Sequence, residues 1–374
     1  MTSLAERTPP EPVLFRELGR PRELFANIGP NWYASIMGTG IVANAAATLP
    51  HWNAALRVPA TVVWVFATVM LLALLFATVV HWVRHTDRAR GHAANPVAAQ
   101  FWGAPPMALM TVGAGALSIG SGILGTSAGL TIDYVLWTAG TVFGLFTAAW
   151  IPYKMMTSHR IAPDAAFGGW LMPVVPPMVS AANGAALIPH IADPGLRTTM
   201  TLGCYAMFGI SLFATLCLIP QIWQKLVHHK TTAATAVPTM WIVLGPLGQS
   251  VTAANLLGKA APAALPAPYG KAAEVFGWFY GIPVWGFAML WLVIAAAVTI
   301  RTLRSGMPFA LTWWAFTFPV GTCVTGSSAL AARTGAGLFA DASLVLYVFL
   351  VFAWAVVAVR TMRGSLRGEL LRPA

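Results

Sequence analysis

Charge is scarce in this chain. Asp, Glu, Lys and Arg make up 9% of it, against about 25% in soluble domains, which excludes a water-soluble fold. Acids are scarcer than bases, 11 against 22, and all of them lie in tails, loops or at the ends of apolar runs. With no carboxylate in the middle of a run, the intramembrane acid of a carboxylate proton relay is missing. The same absence removes the usual means of attracting cations, so the permeant ion is expected to be an anion. A protonated substrate would still carry its own proton, and that route stays open. Cysteine is nearly missing. Cys204, Cys217 and Cys323 all fall in apolar runs without CxxC spacing and read as small buried hydrophobes, neither disulfide partners nor metal ligands. His228-His229 is not read as a metal pair, because adjacent helical residues point apart and no further ligands cluster nearby. No P-loop, dinucleotide fingerprint or nucleophile elbow occurs in a fitting context, so neither a catalytic residue, a metal nor a cofactor is expected. The first 25 residues are polar and proline-rich, unlike a cleavable signal peptide.

What the chain has is hydrophobic length: 57% of it is apolar and the mean hydropathy is +0.70. A spanning helix needs roughly 20 apolar residues. The pattern predicts an all-α integral membrane protein with ten spans near 28–49, 59–82, 101–124, 133–153, 170–191, 198–222, 237–258, 274–300, 311–332 and 341–360. The corresponding division is a cytoplasmic leader at 1–27, a ten-helix transporter or channel domain at 28–361 and a cytoplasmic tail at 362–374. Within the leader, Pro12–Phe25 alternates apolar and charged residues at roughly helical spacing; a short helix on the headgroups and a partly ordered tail both fit it. The net charge of +11 does not gather into a patch for nucleic acid. Of the 22 Lys and Arg, seventeen fall on one side of the spans and five (Arg57, Arg197, Lys259, Lys271, Arg333) on the other. By the positive-inside rule both termini are cytoplasmic, in a plasma or inner membrane. Lys154, at the end of the fourth span, reads as snorkelling to the interface.

Odd and even spans differ in kind. The odd ones hold glycine, small residues, hydroxyls and amides, with proline at the start or inside; the ninth reads LTWWAFTFPVGTCVTGSSALAA. The even ones are mostly plain aliphatic and aromatic. Lipid is as apolar as leucine, so small-residue helices pack centrally and plain helices face outward. The odd spans start about 70 residues apart, one helical hairpin per repeat, repeated five times. Five hairpins around a central axis are therefore expected, odd helices lining the centre and even helices facing outward. The competing expectation is an ordinary bundle whose Gly and Pro serve only close packing.

Pro30-Asn31-Trp32-Tyr33, then Met37-Gly38-Thr39-Gly40-Ile41, and Trp313-Trp314-Ala315-Phe316-Thr317-Phe318-Pro319 resemble the signatures of the tellurite-resistance/dicarboxylate transporter family. That family includes malate permeases, sulfite efflux pumps and slow-type anion channels. The resemblance runs through all ten spans in order. It implies five hairpins, a pore closed by a phenylalanine of the ninth helix, and usually a homotrimer in the lipid bilayer. The matching phenylalanine is Phe318. Phe316 lies about 200° away on a regular helix, so both rings cannot face one axis; the proline distortion leaves Phe316 as the second candidate.

Breaks at Pro176-Pro177, Pro246 and Pro319 expose helix ends whose dipoles favour anions. Ser35, Thr39, Ser118, Ser180, Asn183, Gln249, Ser250 and Thr322 are candidates to line the path. Each also suits a bond to the carbonyl one turn back. Gly38 and Gly40 either leave room for the Phe318 ring or serve close packing. The leading expectation is a channel or transporter for C4-dicarboxylates such as malate or for small inorganic anions, and sulfite- or tellurite-related efflux is the alternative. An intramembrane enzyme or redox protein would need ionisable groups at membrane depth, which are scarce.

Overall fold

In the computed structural model, residues 14–15, 17–18, 21–50, 53–231 and 233–372 are described. The α-helices are α1 (Tyr33–Thr48), α2 (Ala54–Arg84), α3 (Thr86–Ala94), α4 (Ala104–Gly115), α5 (Ser121–Leu124), α6 (Thr126–Thr157), α7 (Pro176–Leu187), α8 (Pro194–His229), α9 (Leu244–Ala260), α10 (Tyr269–Arg304), α11 (Phe318–Thr334) and α12 (Gly337–Arg367). Much of the leader lies outside the described residues; the part from Pro21 to Phe25 is a 3-10 turn, not the end of a regular interfacial helix.

The even spans form the long helices α2, α6, α8, α10 and α12, of 31 to 36 residues. Each overruns its predicted span at both ends, because the apolar run marks only the part in hydrocarbon. At about 1.5 Å per residue they exceed a core of about 30 Å. Polar caps fix some starts: the Asn53 side chain accepts from the Ala55 and Leu56 amides, and Asp193 from the Leu196 amide. β-Branched runs such as those of α2 are helical here because a backbone in lipid must satisfy its own hydrogen bonds. Val62, Phe213, Phe279 and Phe352 stand exposed on these helices.

The odd spans are interrupted. In each, a 3-10 segment leads into an α-helix: Pro30–Trp32 into α1, Ala98–Gly103 into α4, Gly168–Leu171 toward α7, Ala234–Val243 into α9 and Leu311–Phe316 toward α11. Prolines in the first turn of α4, α7 and α11 suit these starts, where an amide hydrogen has no helical partner. A π-helical turn, Ala116–Gly120, follows α4. In the most apolar stretch of Ala234–Ala263, 94% of residues are buried, against 22% in α2, which separates inner from outer. Among the described residues seven helical stretches are long and apolar enough to cross a membrane. The other three predicted spans carry α-helices of 16, 12 and 17 residues, since their breaks shorten them. The chain is an all-α, multi-pass membrane protein.

Each interrupted helix packs on the long helix after it: α1 on α2, α4 on α6, α7 on α8, α9 on α10 and α11 on α12. Among themselves their contacts run full circle, α1 to α4, α4 to α7, α7 to α9, α9 to α11 and α11 back to α1. Polar side chains tie the joints. Asn44 donates to the Thr111 carbonyl at 2.9 Å, Asn183 to the Met110 carbonyl at 3.0 Å, and the Thr252 and Thr325 hydroxyls pair at 2.8 Å. The two ends of the described chain meet: the Phe15 amide donates to the Leu366 carbonyl and Arg372 pairs with Glu17 at 2.9 Å.

Three details depart from expectation. Residues 86–94, expected as loop, form α3, whose polar composition hid a helix packed on α2. Cys217 is exposed on α8, although Cys204 and Cys323 are buried. Asp133, expected at a span end, lies two turns inside α6, 1% exposed against Gly113 of α4, with no hydrogen-bond partner for either oxygen among the described residues. The helix starts earlier than the apolar run because Thr126–Ile132 continues it.

Candidate permeation site

The starts of the five interrupted segments converge on one narrow cavity of about 40 Å³, room for a few waters. Ala34 and Met37 come from α1, Phe101 and Met107 from the α4 segment, Met172 and Val175 from the α7 segment. Thr239, Ile242, Gly245 and Pro246 come from the α9 segment, and Leu311, Thr312, Trp314, Ala315, Phe318 and Pro319 from the α11 segment. No charged side chain lines it. All five helices present the same end to the cavity, so the positive ends of their dipoles lie around it.

Phe318 and Phe316 part company at Thr317. That residue sits between the 3-10 segment and α11 at φ −106° and ψ −78°, and its hydroxyl donates to the Trp314 carbonyl at 2.6 Å. Phe318, the first residue of α11, lines the cavity with Pro319. Phe316 does not; its ring meets Trp241 edge-on at 5.2 Å and Trp313 at 5.7 Å.

Most of the polar candidates are engaged elsewhere. Thr39 donates to the Ser35 carbonyl at 2.7 Å and accepts from Trp354 at 3.1 Å, facing α12. Ser250 donates to the Leu247 carbonyl at 2.8 Å, Ser118 to the Ala114 carbonyl at 2.8 Å, and Ser35 to the Trp32 carbonyl at 2.7 Å. Ser180 receives Thr141 and donates to Met110 Sδ at 3.1 Å. Thr322 is fully buried, one turn beyond Pro319, with its hydroxyl on the Pro319 carbonyl at 2.7 Å. Asn183 is committed to α4. Pro176 packs on Gly144 of α6, and its neighbour Val175 takes the lining position. Gln249 differs: it is 5% exposed and its amide has no hydrogen-bond partner among the described residues. It lies one turn beyond Pro246 on α9.

The glycines serve close packing. A Cβ on Gly38 would strike the Thr317 hydroxyl and Trp314, and one on Gly40 would meet Thr111 of α4 at 2.7 Å. Lys154 lies over the Trp150 ring, 5.4 Å from its centroid. The lining methionines, Met37, Met107 and Met172, carry no polar mark by which the sequence alone would single them out. Met37 and Met107 stand one repeat step apart at equivalent points of α1 and α4; applying the step to apolar residues near the helix starts would have found them.

The family model described as the voltage-dependent anion channel, SLAC1, matches residues 27–362. A sulfite efflux pump of Trichophyton rubrum is 26% identical over 353 residues, 93% of this chain and 93% of the pump. A sulfite efflux pump of Arthroderma benhamiae matches at the same identity and coverage. An uncharacterized transporter of Methanocaldococcus jannaschii is 25% identical over 352 residues, 94% of this chain and 97% of that protein. The matches cover the helices and the convergent cavity together, and they agree with a transporter or channel, not an enzyme. The chain belongs to the SLAC1 family of anion channels and transporters, the group to which the tellurite-resistance/dicarboxylate resemblance pointed.

Proposed function

We propose that this protein carries a small oxyanion such as sulfite out of the cell through the cavity between its five interrupted helices. The observation that carries this reading is the convergence of all five helix starts on one uncharged cavity. Positive dipole ends attract an anion there, and the absence of fixed cations lets it leave again. Phe318 forms a movable part of the wall, and Gln249 is the side chain beyond it best placed to offer an amide to the ion. The relatives named as sulfite efflux pumps favour sulfite over malate. The narrowness of the cavity favours the smaller ion as well. In this reading the helix pairs are five hairpins about the pore.

Phe15 and Leu366, near the two ends of the chain, lie together, which agrees with an even number of crossings, and the sequence assigns seventeen of the 22 basic residues to that side. That supports both termini in the cytoplasm of a plasma or inner membrane, with the cavity in the cytoplasmic half. A homotrimer belongs to the proposal on the family resemblance alone, and light scattering of the detergent-solubilised protein tests it. For substrate, proteoliposomes loaded with sulfite or malate decide. Faster release of sulfite is expected; preferential release of malate would overturn the reading.

A further inference from the structure

Between the C-terminal halves of α8 and α10 lies a cleft of about 680 Å³, separate from the central cavity. Its two walls are written alike. On α8, Trp223, Leu226 and Val227 follow one another at helical spacing and Lys230 caps the helix just past its last residue; on α10, Trp291, Ile294, Val298 and Arg301 follow one another at helical spacing. Each helix therefore presents an apolar stripe that starts at an indole, and a base stands at the far end of each, Arg301 on α10 and Lys230 at the cap of α8. The indoles make the floor, with ring centroids 5.8 Å apart, and the buried Trp291 is fixed by its bond to the Met240 carbonyl at 2.9 Å. The hydroxyls of Thr231, Thr302 and Ser305 stand with the two bases, and no acid lines the cleft. Lys230 uses one N–H on the Val227 carbonyl, at 2.7 Å, and keeps two. Arg301 makes no ion pair among the described residues.

We propose that this cleft binds an anionic phospholipid, its phosphate between Lys230 and Arg301 and an acyl chain along the stripes toward Trp223 and Trp291. The carbonyls at the two helix C-termini have the wrong sign for an anion, roughly half a charge each; two full positive charges outweigh them. From Arg301 to Trp291 the helix rises about 15 Å, the reach of an extended chain, and a free phosphate would leave that apolar length uncovered. Basic groups above apolar walls between spans are the chemistry that recognises acidic lipid headgroups. The floor also touches the pore. Met240 belongs to the 3-10 segment that supplies Thr239 and Ile242 to the central cavity and Trp241 to the Phe316 ring.

Native mass spectrometry of the purified full chain, titrated with phosphatidylglycerol, phosphatidylcholine or inorganic phosphate, tests this. Phosphatidylglycerol should bind most tightly, and Lys230→Ala with Arg301→Ala should weaken it roughly 30-fold while leaving phosphatidylcholine unchanged. Val298→Trp keeps both bases but fills the cleft, so it should also lose the lipid, with an unshifted thermal midpoint as evidence of folding. Equal binding of the two lipids, binding of inorganic phosphate as tight as that of the lipid, or an unaffected double variant would overturn the proposal. So would a self-association, insensitive to added lipid, that Val298→Trp abolishes, because a second copy would then fill the cleft.

Discussion

Gly38 of α1 lies directly against Thr317, the residue at which the ninth span changes from 3-10 to α-helix. A bare Cα on one helix thus accommodates the break on another. The Thr317 hydroxyl is committed to the Trp314 carbonyl, so it cannot swing away from an added methyl group without losing that bond. Gly38→Val should therefore overpack the junction and lower stability by about 1–3 kcal/mol. Thermal unfolding in detergent measures it, and an unchanged midpoint would show that the contact is slack.

Phe318 and Phe316 should respond oppositely to truncation. Phe318→Ala widens the cavity and is expected to raise anion flux in proteoliposomes well above wild type. Phe316→Ala removes a ring packed on Trp241 and Trp313. It should lower stability by about 3–5 kcal/mol without raising flux in the folded fraction. A flux gain in the Phe316 variant alone would exchange the two assignments.

Asp133 carries two buried oxygens with no partner among the described residues. Asp133→Asn keeps the shape and removes the charge, so it should stabilise the protein at neutral pH by about 1–3 kcal/mol. A fall in the midpoint would mean that the carboxylate is engaged in the folded protein.

Acid should weaken the end of the protein that carries α3. Burial, and then the nearby His81 ring at 5.4 Å, hold the His92 imidazole of α3 below its ordinary value. The folded protein then binds a proton there less readily than the unfolded chain. Its contribution is complete above the ordinary histidine value of about 6.5 and is lost as pH falls through that value toward the lower folded one. The thermal midpoint should drop over this range, and His92→Gln should flatten the drop; a wild-type midpoint that ignores pH there would refute it.

Much of the architecture was legible because lipid is a severe solvent. Few charges, long apolar runs and the contrast between plain and proline-broken spans identified the membrane class and two kinds of helix. Pro319 marked the break. The polar candidates were less legible, since a hydroxyl such as that of Thr39 or Thr322 reads the same whether it faces a lumen or bonds a carbonyl one turn back. Only packing distinguishes them, and here both are bonded.

The sequence by itself determined an all-α membrane protein with two kinds of helix, because these follow from composition and from period. Tertiary structure alone decided which side chains face the cavity. A 3-10 helix turns about 120° per residue and an α-helix about 100°. Across the five steps from Leu311 to Phe316 the facing therefore drifts by roughly 100° from an α-helical period. The backbone at Thr317 turns it again. That is why Phe318, and not Phe316, lines the cavity.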